Sequence, residues 1–183
     1  MGFTFFYRDA QTLRLVLDLF VPFIQNRVTI HIWSAGCSLG QEPYTFAIML
    51  RERMRPFQFR NVKIFATDLD EYDQFGPTVT TGIYSADDIA RIPREIQDRY
   101  FLSTLDPPDH VQVIEEIRHA VEFHKHDLLS LIPIKMGFQL IICKNVLLHF
   151  NEETQGTILH MFWESLEEGG FLLHEQTQKM VMA

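Results

Sequence analysis

The chain has 183 residues, and 46% of them are hydrophobic, which is enough to build the core of one domain. The formal net charge of −8 argues against nucleic acid and anionic membranes as default partners. No apolar run reaches membrane-spanning length and the cysteines at 37 and 143 are far apart, so we expect a reduced, cytoplasmic protein that is not inserted in a membrane.

Strands and helices alternate along the chain. In order, the pattern predicts a helix at 9–25, a strand at 28–34, a helix at 42–54, a strand at 61–67, an irregular or helical stretch at 70–100, a polar segment at 101–119, strands at 120–125 and 138–143, a helix at 152–167 and a strand at 170–175. This alternation favours a largely parallel sheet covered by helices on both faces. We expect Asn151 to cap the last helix, and Gly169 with Gly170 to end it.

A glycine turn joins the first predicted strand to the helix that follows it. Residues 33–44 read WSAGCSLGQEPY, with glycines at 36 and 40. Because glycine has no Cβ, the backbone N–H groups of such a turn can approach a ligand closely, and the helix start adds a positive dipole end. The turn suits a nucleotide-like cofactor, although many α/β proteins use glycine at this place for packing alone.

Polar side chains follow several of the predicted strands. Asp68, Asp127 and Asn145 all fall near carboxyl ends of strands, where open α/β sheets bind ligands. Asp68 is placed to accept hydrogen bonds from the two hydroxyls of a ribose, and its alternative role is a helix cap or loop acid. Asp70 is expected to be a turn or cap residue. Glu42, in the first turn of a helix, either pairs with the helix dipole or holds a cationic group of a ligand.

Histidines are not expected to form a metal site. His124 and His126 would share one face of a strand, but no third ligand has suitable spacing. We interpret both as surface or loop histidines, and His149 as partly buried and structural if it has no function.

Six motifs in a fixed order carry a family resemblance. Residues 4–9 (TFFYRD) look like T-x-F-F-R-D/E, residues 33–44 like W-S-A-G-C-S-T-G-E-E-P-Y, and residues 66–70 (ATDLD) like A-T-D-I-D. Residues 82–84 and 99–101 match the landmarks G-x-Y and K/R-Y-F, and residues 143–150 (CKNVLLHF) resemble C-R-N-V-x-I-Y-F. Together these motifs resemble the CheR family of chemotaxis receptor methyltransferases over almost the whole chain.

The resemblance implies an α/β, Rossmann-like class I methyltransferase fold that uses S-adenosylmethionine and releases S-adenosylhomocysteine. The implied reaction is O-methylation of glutamate side chains in the cytoplasmic region of a chemoreceptor (a methyl-accepting chemotaxis protein) or a related protein. Arg8 and His149 would flank the reacting groups. The residues implied to bind the cofactor are Thr4, Arg8, Gly36, Glu42, Asp68, Asp127, Leu128, Lys144 and Asn145.

The same resemblance implies a domain organisation for the chain. Residues 1–183 would form a single methyltransferase domain, with 101–122 as a small inserted β-subdomain that docks receptors. The family's N-terminal helical domain is expected to be absent. Chemistry-bearing positions depart from the family pattern: Gln41 and Lys144 replace Glu and Arg, Asp127 stands where Asn is frequent, and His149 replaces a tyrosine.

These departures leave an alternative function open. The chain could be a degenerate module that binds the cofactor or a receptor without transferring a methyl group. A nicotinamide-dependent oxidoreductase is a weaker alternative, because the first turn lacks G-x-G-x-x-G.

Overall fold

The structure is a computed structural model that describes residues 4–174. The strands are β1 (Ile30–Ala35), β2 (Val62–Asp68), β3 (Ile83–Ser85), β4 (Phe101–Ser103), β5 (His110–Val113), β6 (Val121–Lys125), β7 (Phe138–Cys143) and β8 (Leu166–His174). The helices are α1 (Ala10–Ile24), α2 (Gln41–Arg53), α3 (Pro56–Phe59), α4 (Phe75–Thr81), α5 (Arg94–Tyr100), α6 (Glu115–Arg118) and α7 (Glu152–Ser165). Short 3₁₀ turns cover Ala86–Ile89, Leu128–Ser130 and Leu147–His149.

A five-stranded parallel sheet forms the centre of the fold, in the order β6-β2-β1-β7-β8. The strand order reverses between β1 and β7, and the helices that follow these two strands, α2 and α7, pack on opposite faces of the sheet, which leaves a crevice at the carboxyl ends of the two strands. Ligands of open α/β sheets bind at such a point. The predicted mostly parallel sheet is therefore confirmed.

Helices cover both faces of the sheet. Because side chains of successive strand residues point to opposite faces, both sets of side chains are buried. Ile30 and Ile32 belong to one apolar cluster, which α1 and α2 cover with Leu17, Phe46 and other residues. Trp33 belongs to a second cluster, which contains Ile158, Met161 and Phe162 of α7. The continuous apolar runs of β1 and β7 follow from this two-sided burial.

The end of α7 and the start of β8 differ from the prediction. The helix stops at Ser165, whose hydroxyl donates to the Met161 carbonyl at 2.6 Å, and Leu166 is already extended. Gly169 and Gly170 do not end the helix, because they lie inside β8 at a register shift against β7. Gly169 has a φ of +78°, which fits a bulge. Residue 175, the predicted last strand residue, lies outside the described residues.

A second, three-stranded antiparallel sheet has the order β3-β5-β4. Its bounds differ from the expected 101–122 at both ends. The strand β3 precedes this range, in the stretch expected to be irregular or helical, and residues 121 and 122 belong to β6 of the main sheet. The strand β3 has three residues and pairs with β5, so local alternation could not reveal it. Within residues 4–174, none of the helices combines the length and apolar character that crossing a membrane demands.

Candidate functional site

The glycine turn after β1 is held by the end of β2. The N–H groups of Gly36 and Cys37 both donate to the Thr67 carbonyl, at 2.8 and 2.9 Å, and the Ser38 N–H donates to Asp68 Oδ2 at 2.8 Å. Gly36 has a φ of +80°, and a Cβ built there would lie 2.2 Å from Cγ2 of Val146. Only glycine fits this position, because any side chain would be strained and would collide.

The N-terminal segment (residues 4–9) forms a second wall. The Arg8 guanidinium donates to Asn145 Oδ1 at 3.0 Å, and Asp9 forms an ion pair with Lys144, whose side chain is only 8% exposed. These two contacts join the segment to the loop that follows β7. The backbone N–H of Tyr7 also donates to Thr45 Oγ1 of α2, at 3.0 Å.

A cavity of about 330 Å³ lies between these walls, at the carboxyl edge of the main sheet. The structure brings all of the predicted site residues to it: Thr4, Arg8, Gly36, Glu42, Asp68, Asp127, Leu128, Lys144, Asn145 and His149. Their roles toward a ligand stay predictions, but their juxtaposition is a property of the fold.

Glu42 is the acid of α2 that reaches the cavity. Burial raises the pKa of its carboxyl to about 7, although the Ser34 hydroxyl, which donates to Glu42 Oε1 at 3.0 Å, and the charge of Lys144 act in the opposite direction. The carboxyl therefore ionises near neutrality. A cationic ligand group beside it would favour the ionised form.

The two carboxylate oxygens of Asp68 differ in their hydrogen bonds. Oδ2 accepts from the Ser38 N–H, whereas among residues 4–174 Oδ1 has only a long contact of 3.4 Å from the N–H of Asp70. Asp127 accepts from the Leu129 N–H at 2.9 Å and so shapes the 3₁₀ turn that carries Leu128 to the cavity.

Asp70 is the turn residue that the sequence indicated. It is 4% exposed and accepts hydrogen bonds from the N–H groups of Gln74, Phe75 and Gly76, at 2.8, 2.9 and 3.0 Å. Burial acts to raise its pKa, but these backbone donors outweigh it and the pKa lies below its usual value. Through this cap Asp70 places α4, and with it Phe75, beside the cavity.

The histidines have different surroundings. His149 is exposed and lines the cavity. His126 lines it too, with Nε2 at 2.8 Å from the Ile132 carbonyl, and His124 contacts Glu122. Among the residues described, His, Cys, Asp and Glu side chains form no group of three or more placed to hold a metal ion.

Sequence reasoning missed several residues of the cavity wall. Ser38, Leu69 and Phe75 line it, as does Asp9. Ser38 lies within the glycine turn and Leu69 directly follows Asp68, so both could have been inferred from their neighbours. Phe75 lies in a stretch without a clear pattern, and no local signal marks it.

Comparison with known proteins gives a consistent result. A family model described as "CheR methyltransferase, SAM binding domain" matches residues 2–182. The chain is 33% identical to a chemotaxis protein methyltransferase of Borreliella burgdorferi, over 95% of this chain and 64% of the relative. It is 31% identical to chemotaxis protein methyltransferase 2 of Pseudomonas aeruginosa, over 98% of this chain and 64% of that protein. The chain thus spans less than two thirds of the length of these relatives.

Solved structures agree on the fold. A putative O-methyltransferase from Nostoc punctiforme aligns with a TM-score of 0.51 at 12% identity, covering 90% of this chain and 36% of the other. This likeness confirms the predicted class I methyltransferase fold. Four of the six motifs, at 4–9, 33–44, 66–70 and 143–150, contribute residues to the cavity. Because the family model matches residues 2–182, the chain belongs to the CheR methyltransferase family.

Proposed function

We propose that this chain is the catalytic domain of an S-adenosylmethionine-dependent protein-glutamate O-methyltransferase that acts on chemoreceptors. The observation that carries the proposal is the cavity at the carboxyl edge of the sheet, where a glycine turn, Glu42 and Asp68 face one space. The degenerate module without methyl transfer has no support from the relatives, which are named methyltransferases.

The residues present suit the proposed cofactor. A ligand that carries an ammonium, a ribose diol and an adenine needs acids at two separated points and a turn without side chains between them. Glu42 would receive the ammonium, and Oδ1 of Asp68 the ribose hydroxyls. Gly36 contributes backbone without a side chain to the cavity wall, where a Cβ would collide with Val146. Thr4, Asp127, Leu128, Lys144 and Asn145 complete the proposed binding set.

S-adenosylmethionine supplies an electrophilic methyl group on a positively charged sulfur. A glutamate acceptor is already ionised near neutral pH, so the chain needs no strong base. Attack brings opposite charges together, and water slows such a step because it solvates the separated charges better. The task of the protein is therefore to align the groups and exclude water.

Arg8 and His149 are the proposed residues beside the acceptor. The Arg8 guanidinium donates to Asn145 and lines the cavity, where it would also contact the acceptor carboxylate. Weak binding of the acceptor carboxylate by Arg8 favours the reaction, since strong stabilisation of the free carboxylate would raise the barrier to methyl transfer. His149 is exposed at the cavity, where it would contact the arriving receptor.

The acceptor and the location follow from the same proposal. The cytoplasmic region of a methyl-accepting chemotaxis protein would be the substrate, and the enzyme would act in the cytoplasm. The antiparallel sheet β3-β5-β4 is the proposed receptor-docking unit. With a net charge of −8, the chain is not suited to nucleic acid.

Incubation with methyl-labelled S-adenosylmethionine and a chemoreceptor cytoplasmic fragment tests this function. We expect label in the fragment that mild base releases, as a carboxyl methyl ester requires. A fragment in which the acceptor glutamates are replaced by alanine is the control. Full binding of S-adenosylmethionine without any label in the fragment would contradict the proposed reaction.

A further inference from the structure

Tyr84 contacts two walls of the cofactor cavity from behind. It lies in β3 of the antiparallel sheet and is 3% exposed. Its hydroxyl donates to the Leu39 carbonyl at 2.7 Å, and its ring packs edge-to-face on Phe6, with centroids 4.9 Å apart. One side chain therefore joins the small sheet to both the glycine turn and the N-terminal segment.

The first of these contacts fixes the far end of the glycine turn. The near end is held by Thr67 and Asp68 of β2, whereas the Leu39 carbonyl receives the phenol of Tyr84. The fit is close, since a Cβ added to Gly40 would lie 3.0 Å from the Tyr84 oxygen. Helix α2, with Glu42 in its first turn, begins directly after Gly40.

The Tyr84 phenol is a hydrogen-bond donor. Burial raises the pKa of Tyr84 well above its usual range, and the nearby Tyr44 acts in the same direction. The hydroxyl is therefore protonated across the physiological pH range, as an ordinary tyrosine also is, and it donates to the Leu39 carbonyl.

The second contact fixes the N-terminal segment. Phe6 is 2% exposed, and its ring meets Tyr84 on β3 and Phe101 on β4, the latter at a centroid distance of 5.4 Å. Phe5 and Arg8, on either side of Phe6 in the chain, line the cavity. A shift of Phe6 would therefore move residues that face the cofactor and the acceptor.

We propose that Tyr84 is a positioning residue that makes the small antiparallel sheet a structural part of the cofactor site, by holding the glycine turn through its hydroxyl and the N-terminal segment through its ring. The inference rests on the proposed function, since it assigns cofactor affinity to a residue that does not touch the cofactor. It follows that a ligand which displaces β3 also changes the affinity of the cavity.

Three variants separate positioning from simple stability. Tyr84→Phe removes the hydrogen bond to Leu39 and keeps the ring against Phe6, and Tyr84→Leu removes both contacts. Tyr100→Phe is the matched control, because Tyr100 is also buried beside the small sheet but gives its hydroxyl to Glu52. Calorimetry with S-adenosylhomocysteine measures affinity, and thermal unfolding measures stability.

We expect Tyr84→Phe to weaken S-adenosylhomocysteine binding about threefold to tenfold, and Tyr84→Leu more, while Tyr100→Phe binds within about twofold of the unaltered chain at a similar loss of Tm. In methyl transfer, KM for S-adenosylmethionine should rise in Tyr84→Phe more than kcat falls. Equal affinities for Tyr84→Phe and Tyr100→Phe would overturn the inference alone. Absence of binding by the unaltered chain would overturn the proposed function, and the inference with it.

Discussion

The Ser34 hydroxyl donates to Glu42 Oε1 at 3.0 Å, which joins the carboxyl end of β1 to the first turn of α2 across the glycine turn. Ser34 is fully buried, so this contact is shielded from water. It partly offsets the desolvation that raises the pKa of Glu42. The cavity thus contains an acid whose charge depends on pH and on what is bound beside it.

Cofactor affinity should depend on pH through Glu42. The pKa of about 7 in the free protein means that binding of an ammonium below this pH must first expel a proton, whereas above it the carboxylate is already formed. We expect S-adenosylhomocysteine to bind about fivefold to tenfold more weakly at pH 6 than at pH 8. Calorimetry across this range measures the slope.

Glu42→Gln provides the control for that prediction. The variant should bind more weakly, with no pH dependence between 6 and 8. A raised folded-state pKa also means that Glu42 reduces the stability of the free protein as pH rises from the ordinary carboxyl range through 7. Glu42→Gln should therefore be the more stable protein at pH 8 in urea unfolding. An unchanged pH slope in the variant would show that another group titrates.

Asp68→Asn should weaken cofactor binding without unfolding the protein. The substitution removes the charge from the proposed hydrogen bonds to the ribose, at a cost of about 1.5–3 kcal/mol, or roughly tenfold to a hundredfold in Kd. Asp73→Asn is the matched control, because Asp73 is exposed and pairs with Lys125 outside the cavity. Equal affinity of the two variants would refute the ribose assignment.

Gly36→Ala and Gly156→Ala should have opposite effects on stability. At Gly36 the added Cβ meets Val146 at 2.2 Å in a backbone with positive φ, so we expect a loss of about 1–3 kcal/mol. At Gly156, on the exposed face of α7, nothing lies within 4 Å, and alanine should add about 0.5–1 kcal/mol through its helix propensity. Urea denaturation measures both, and a neutral Gly36→Ala would contradict the tight turn described above.

His149→Ala should reduce turnover while leaving cofactor binding intact. The side chain is exposed at the cavity, where the acceptor would arrive, so we expect kcat to fall about tenfold and the Kd of S-adenosylhomocysteine to stay within about twofold. His160→Ala, an exposed histidine on α7, is the control. A parallel loss of binding would reassign His149 to the cofactor.

The main sheet could be predicted because its strands carry local signals. The apolar runs of β1 and β7 are almost entirely buried on both faces, and β2 has a similar run in which only Lys63 is exposed, so all three can be recognised as strands from local sequence alone. The small sheet could not be predicted in full, since β3 is defined by its pairing with β5, at Tyr84 opposite Val111. The prediction that Gly169 and Gly170 end the last helix is wrong because glycine occurs both at helix ends and in bulges, and these two lie at a register shift in β8.

The residues of the candidate site also divide into those that a local sequence signal marks and those that it does not. Glu42, Asp68 and Asn145 could be found because strand ends and a glycine turn mark their positions in sequence. The Asp9–Lys144 ion pair joins residues 135 positions apart, and no local pattern predicts such a contact. The hydrogen bond from Tyr84 to Leu39 joins residues 45 positions apart, so no local pattern predicts it either.

The most direct test of the cofactor cavity is calorimetry of the unaltered chain with S-adenosylhomocysteine at pH 8, repeated with Glu42→Gln and Asp68→Asn. Saturable one-to-one binding that each substitution weakens at least about fivefold is the result we predict. A well-folded chain that binds no S-adenosylhomocysteine, or binds it equally well in all three forms, would contradict the assignment of this cavity.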